Sequence, residues 1–494
     1  MENKLRVDAS NGKFIGVERN GVISYKGIPY AKPPVGRLRW KPTEELEKSS
    51  QTIMCHDFGN SSIQSYDPIE KACLHKQSED CLTLNIWMAD DDAKTKKPVM
   101  VWFHGGVYGW GGTADPICDG HNFVKAHNDI IYVSINSRLG VLGYIDLSDV
   151  PGGEAYTEPN LGLCDQITAL KWIHENIEAF GGDADNVTLF GHSSGAVNIG
   201  ILMTMDRANK YFKRAIVQDG PYLRGIEGKR IEGKNVAQLL MEATGSKNMD
   251  ELLALTEGEI KKANDENEFS VFCPGPMSDG GTYENIIESM TAGKSRHIDL
   301  LIGSNEDEFY YTAFIEGSIE AAGKFYERKL RREKESMNEE QLKLIEEFED
   351  LYKGVISKEE LPIKYWCESK MRIPTLKQAL AHKKERGNAY VYLWRYPSSL
   401  EGVGACMAVD VSYVLNNLHE TTYSGENPNI KLAEDIQKSW VNFAKTGNPS
   451  FDNVKWPQYD EKTRVTMIID KNADWHTEND PLSRSRMIIE EISD

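Results

Sequence analysis

Two glycine-framed segments carry the residue types that nucleophilic chemistry requires. Gly191-His192-Ser193-Ser194-Gly195 follows the apolar run NVTLF and precedes the helix-compatible run AVNIGILMTM. A GxSxG pattern alone arises by chance. Between a strand and a helix it describes a sharp turn that lifts a serine hydroxyl above a sheet, and an ordinary tight turn is the alternative. Upstream, His104-Gly105-Gly106-Val107-Tyr108-Gly109-Trp110-Gly111-Gly112 follows the run PVMVWF. Its glycines free the N–H groups of Gly105, Gly106 and Val107 to face a developing oxyanion, and the N–H of Ser194 completes the set. A phosphate cradle competes for this loop, but the Lys-Ser/Thr of a P-loop does not follow it. Tyr108 and Trp110 either line a pocket or pack beside the loop.

These segments sit in an alternation of short β-rich runs and helix-period stretches, which predicts a mainly parallel sheet flanked by helices. Strands are expected at Pro98–Phe103, Ile130–Ile135, Val187–Phe190, Arg214–Gln218, Leu300–Ile302, Ala389–Arg395 and Val465–Ile469. Asp165–Phe180 reads as a helix with Ile167, Leu170, Ile173 and Ile177 on one face. Glu327–Tyr352, dense in Lys, Arg and Glu, reads as a solvated helical lid or insertion. No repeat or linker splits the chain, so residues 1–494 read as one domain with helical lid insertions near 225–295 and 310–385.

The 494 residues include 57 basic and 76 acidic side chains, a formal net charge of −19. That excess repels phosphate backbones and anionic lipid and argues against nucleic-acid and membrane-surface partners. No apolar stretch reaches the ~18–20 residues that span a bilayer, and the opening residues lack the apolar core of a signal peptide. Eight cysteines are scattered without metal-ligand spacing, so no metal is expected, and a reducing, cytoplasmic setting is. Oligomeric state is left open.

Four blocks resemble the type B carboxylesterases, the cholinesterase-like branch of the α/β-hydrolases, in order and spacing. They are Gly27–Pro42, Ser78–Trp87, Asn160–Ala196 and Ser439–Ser450. The resemblance implies an α/β-hydrolase core with a helical lid, no cofactor, and hydrolysis of a small-molecule ester through an acyl-enzyme on Ser193. It also implies that Cys81 stays free, because the position of its usual partner is Ser62. By the residues alone, LLIGSNEDEF is an acidic turn after a strand. By the resemblance, it places the triad carboxylate at Glu308, with Phe309 where the family has glycine.

The general base departs from the family. Its histidine falls in a GAxH block that here reads Gly404-Ala405-Cys406-Met407, and a thioether accepts no proton from serine at neutral pH. Two further departures accompany this one: His192 stands where the family has Glu, and Asp219 where it has Ser. In the family's fold those positions and the acid at Asp410 form one polar cluster beside the nucleophile. The expectation is that the base has moved to His192, with Asp219 and Asp410 fixing the imidazole. A degenerate site with a ligand- or partner-binding role is the alternative, and a base from His419 or His104 is a third.

Overall fold

The apolar runs form strands because both faces of each are covered. Val99, Met100 and Val101 have no exposed surface, as a parallel strand buried on two sides requires. The computed structural model describes residues 4–67, 69, 71–91, 93–221, 235–267, 269, 275–277 and 283–493. Cys273 and parts of the predicted 225–295 insertion lie outside the described residues. The chain divides into two units, Met1–Ile216 with Arg224–Ser289, and Val217–Leu223 with Met290–Asp494.

The first unit carries β1 (Arg6–Ala9), β2 (Gly12–Ile15), β3 (Val17–Arg19), β4 (Val22–Pro29) and β5 (Thr52–Met54). It continues with β6 (Thr83–Ala89), β7 (Lys97–Phe103), β8 (Ile131–Ile135) and β9 (Gly182–His192). A small sheet has the order β1-β2-β5, and the main run has the order β9-β7-β8-β6-β4-β3. β7 is parallel to β8 and β9, while β6, β4 and β3 add antiparallel strands. β9 runs past the predicted Phe190 to His192, so the strand delivers its last side chain directly into the GxSxG turn.

The helix expected at Asp165–Phe180 spans Leu161–Asn176, and Ile177–Phe180 tightens into a 3₁₀ turn closed by Gly181 at φ 79°. Its buried surface is wider than the predicted face. Asp165 is fully buried because it accepts from Arg138, with Nη2 2.7 Å from Oδ1, and Ile167 is only half-buried.

β10 (Arg214–Gln218) carries the chain from the first unit into the second. There β11 (Asp299–Asn305), β12 (Ala389–Trp394), β13 (Val465–Ile469) and β14 (Trp475–Asn479) follow the order β14-β13-β12-β11. β11, β12 and β13 run parallel and β14 antiparallel. The charged stretch at Glu327–Tyr352 is not a single solvated segment. It falls in two helices, Ile319–Lys334 and Glu339–Tyr352, the second started by a capping box between Asn338 and Gln341. Each has an apolar face turned inward, with Leu330, Ile345 and Phe348 buried. Charge density concealed that periodicity in the sequence.

Seven cysteines are described, and all are free and buried. The Cys81 thiol hydrogen-bonds Ser62. Among the described residues, no helix is long and apolar enough to cross a membrane.

Candidate active site

In the first unit, β9 ends at His192 and the helix Ser194–Thr204 begins at once, which leaves Ser193 as the whole turn. Ser193 adopts φ 52° and ψ −125°, a conformation that costs an L-residue roughly 1–3 kcal/mol and persists only when its surroundings hold it. The surroundings here are glycines. A Cβ on Gly191 would lie 2.6 Å from the Phe103 carbonyl oxygen, and one on Gly195 would overlap the same oxygen. Both positions therefore demand the bare backbone that lets β7 approach the turn. Ser193 is half-buried between His192 and Ser194, which are 8% and 7% exposed.

The glycine loop after β7 lies against this turn. A Cβ built on Gly105 would sit 3.0 Å from Nδ1 of His192 and 3.3 Å from Cβ of Ser193. Gly106, Val107 and Tyr108 follow at φ 106°, 51° and 64°. Positive φ at the β-branched Val107 is an outlier of the kind that clusters at functional sites. Val107 is also exposed, so core packing is not what holds it there. Tyr108 is buried against Tyr144, ring centroids 5.0 Å apart, and so it packs. The His104 ring is tied back to its own loop, Nδ1 lying 2.8 Å from the Gly105 carbonyl oxygen, and burial lowers its pKa.

The second unit holds the carboxyl groups. β11 ends at Asn305, whose N–H donates to Oε1 of Glu308 at 2.9 Å. The Asn305 amide donates at 2.8 Å both to Oδ2 of Asp219 and to the Cys406 carbonyl oxygen. The loop of the GACM block is fastened to the acid's own turn. The Ala405 N–H donates to Asp307 at 3.0 Å, and the Met407 N–H donates to the Glu308 carbonyl oxygen at 3.1 Å. Asp219, at φ 50°, also accepts from the Ala408 N–H at 3.4 Å. Its carboxyl group hydrogen-bonds those of Glu308 and Asp410, and all three are buried to 1% exposure or less. Hydrogen bonds between carboxyl groups require shared protons. Accordingly, burial pushes Asp219 up to about 7, and burial with the neighbouring Asp219 charge raises Glu308 well above the ordinary range. Gln218 donates to Asp410 at 2.8 Å and accepts from the Trp440 indole at 3.2 Å.

Thus Ser193, His192, Ser194, Gly105, Gly106 and Val107 gather in the first unit, and Asp219, Glu308, Met407 and Asp410 in the second. His419, offered as another source of the base, is 64% exposed and faces Glu420. Sequence reasoning missed Asn305 and Gln218, the amides that hold the carboxyl groups. The Asn of GSNEDEF and the Gln of QDG were the available signals.

Residues 3–485 match the model of the carboxylesterase family. The para-nitrobenzyl esterase of Bacillus subtilis (strain 168) is 33% identical, with 97% of each chain covered. Carboxylesterase 1C of Mus musculus is 30% identical over 92% of this chain and 87% of its own length. Among solved structures, the Geobacillus stearothermophilus carboxylesterase EST55 superimposes with a TM-score of 0.85 at 28% identity, covering 98% of this chain and 99% of that one. These relatives are α/β-hydrolases, and the fold is the one expected from the sequence.

Proposed function

The chain belongs to the carboxylesterase family and is an enzyme of the serine hydrolase class acting on carboxylic esters; from that premise we propose an acyl-enzyme mechanism with a relocated general base. Residues 1–494 serve as one catalytic domain with helical insertions. Ser193 Oγ bonds to the ester carbonyl carbon while its proton passes to His192. The alcohol leaves with that proton, and water then releases the acid by the same steps in reverse. The N–H groups of Gly105, Gly106, Val107 and Ser194 hold the oxyanion. Asp219 orients the imidazole with Asp410 behind it, and Glu308 remains as the family's acid.

One observation carries the relocated base. A Cβ built on Gly105 would meet Nδ1 of His192 at 3.0 Å and Cβ of Ser193 at 3.3 Å, so both residues border the same stretch of the glycine loop. The strained backbone at Ser193, φ 52° and ψ −125°, supports a turn built to present its side chain. The substrate is a small, uncharged or weakly polar ester, and no cofactor enters. Free cysteines suit a cytoplasmic setting. Met407 favours a second reading, a degenerate site that binds a ligand or partner, because a base deleted without replacement costs about 10⁶ in turnover.

Hydrolysis of short p-nitrophenyl esters by the wild type, His192→Ala and Ser193→Ala separates these readings. Wild-type activity well above the Ser193→Ala background, lost in His192→Ala, supports the moved base. Equal activity in wild type and His192→Ala sinks it. Wild-type activity at background favours the degenerate site.

A further inference from the structure

Three helices of the second unit, Ile319–Lys334, Glu339–Tyr352 and Glu360–Trp366, line a cavity of about 470 Å³ that contains none of the residues assigned above. That volume lies within the roughly 300–1,000 Å³ of small-molecule sites. Its floor is apolar: Leu330, Ile345, Phe348 and Tyr365 line it and are buried. The cavity owes its shape to Gly323, since a Cβ there would overlap the Glu359 carbonyl oxygen and force the first helix away.

The rim has the opposite character from the rest of the protein. Lys324, Arg328, Arg331, Lys334 and Lys358 line the cavity against three glutamates, in a chain of net charge −19. Positions 324, 328 and 331 recur at helical spacing, so one face of the Ile319–Lys334 helix presents all three cations. Lys334 is answered by Glu349 at 3.2 Å. Among the described residues, Lys324, Arg328, Arg331 and Lys358 have no ion-pair partner. Arginine pairs of this kind match the oxygens of carboxylate or phosphate through fixed, planar donors.

We propose that this cavity binds a small amphiphilic anion, with an alkyl chain over Leu330, Ile345, Phe348 and Tyr365 and a carboxylate or phosphate head at Arg328 and Arg331. An apolar floor alone would accept a neutral alkane, and a cationic rim alone any anion. Their juxtaposition selects a ligand that has both parts. The assignment does not rest on the role given to Ser193 or His192.

Isothermal titration of the full chain with sodium octanoate, octyl phosphate, 1-octanol and sodium acetate tests this. Octanoate, octyl phosphate or both bind, and the one that binds identifies the head group. Octanol, without charge, and acetate, without a tail, bind at least about tenfold more weakly. The double variant Arg328→Glu/Arg331→Glu, at exposed positions, keeps its thermal midpoint and loses one equivalent of octanoate or weakens it at least about tenfold. Any octanoate left in the double variant then occupies the acyl pocket. Unchanged octanoate binding in the double variant overturns the proposal. So do octanol binding as tight as octanoate and the absence of binding by either anion.

Discussion

The backbone N–H of Met407 donates to the carbonyl oxygen of Glu308 at 3.1 Å, so the GACM loop is fastened to the turn that carries the proposed acid. On the proposed reading, this loop keeps its attachment with Met407 where an imidazole would stand. Met407→His, combined with Asp219→Ser to release Glu308 from its carboxyl partner, is therefore expected to rebuild an acid–histidine pair. General-base assistance is typically worth 10²–10⁴. Because His192 already serves as the proposed base, the test is made in the His192→Ala background, where we expect Met407→His/Asp219→Ser to raise kcat/KM on a p-nitrophenyl ester by about 10²-fold. No rise in the double variant would mean that the remaining geometry has also drifted.

Gly105 offers a probe of the nucleophile's surroundings. Alanine there places a methyl group 3.0 Å from the His192 ring and 3.3 Å from the Ser193 Cβ, closer than most side-chain carbons tolerate. The glycine's own φ is not in the left-handed region, so the backbone itself accepts alanine. Steady-state kinetics on Gly105→Ala should show kcat falling by about 10-fold or more through misplacement of the reacting groups, with the thermal midpoint moving by only a few degrees. A fall in the midpoint alone, with kcat intact, would separate the loop from the chemistry.

The hydrogen-bonded carboxyl groups of Asp219, Glu308 and Asp410 make stability depend on pH in a particular direction. In the unfolded chain these acids ionise near 4. In the folded protein Asp219 keeps its proton to about 7, and burial beside Asp219 raises Glu308 well above its ordinary value. Between those limits the folded state binds more protons than the unfolded state. The contribution is therefore complete below pH ~4 and lost as pH rises through the folded values. Urea midpoints of wild type and Asp219→Asn, whose amide cannot ionise, should diverge from pH 4 to 8. The wild type should lose on the order of a few kcal/mol relative to the variant. Parallel curves would show that the carboxyl groups share no proton.

Arg39 and Glu79 supply a stability prediction remote from catalysis. Their two hydrogen bonds, at 2.5 and 2.7 Å, are buried, and Arg39 also donates at 3.2 Å to the carbonyl oxygens of Leu252 and Leu253. Glu79→Gln leaves a buried guanidinium without its counter-charge, which costs about 3–5 kcal/mol. Chemical denaturation should report that loss, with kcat of the folded fraction little changed.

The strands and the nucleophile turn were legible in the sequence because their causes are local. β10 and β13 are continuous β-rich runs, and Gly191 and Gly195 stand where β7 leaves no room for a side chain. The inward faces of Ile319–Lys334 and Glu339–Tyr352 were obscured by their charge, since only tertiary packing shows that Ile345 and Phe348 lie beneath it. Glu308 was reached only through resemblance, because an acidic turn after a strand is ordinarily solvated. The Asn of GSNEDEF marked a position at Asn305 but not its role. Its role comes from contacts with Asp219 and Cys406, 86 and 101 residues away.

The division of the chain into units has a consequence during synthesis. The short segment Val217–Leu223 leaves the ribosome before the rest of its unit, Met290–Asp494, and also before Arg224–Ser289, which completes the other. At roughly 5–20 residues per second, Asp219 waits about 10–50 s for the last of the chain it will pack with. Its first partner in the same unit, β11, emerges only about 80 residues after Asp219, roughly 4–16 s later. Translation speed therefore sets how long β10 has β9 beside it and no strand of its own unit on the other edge.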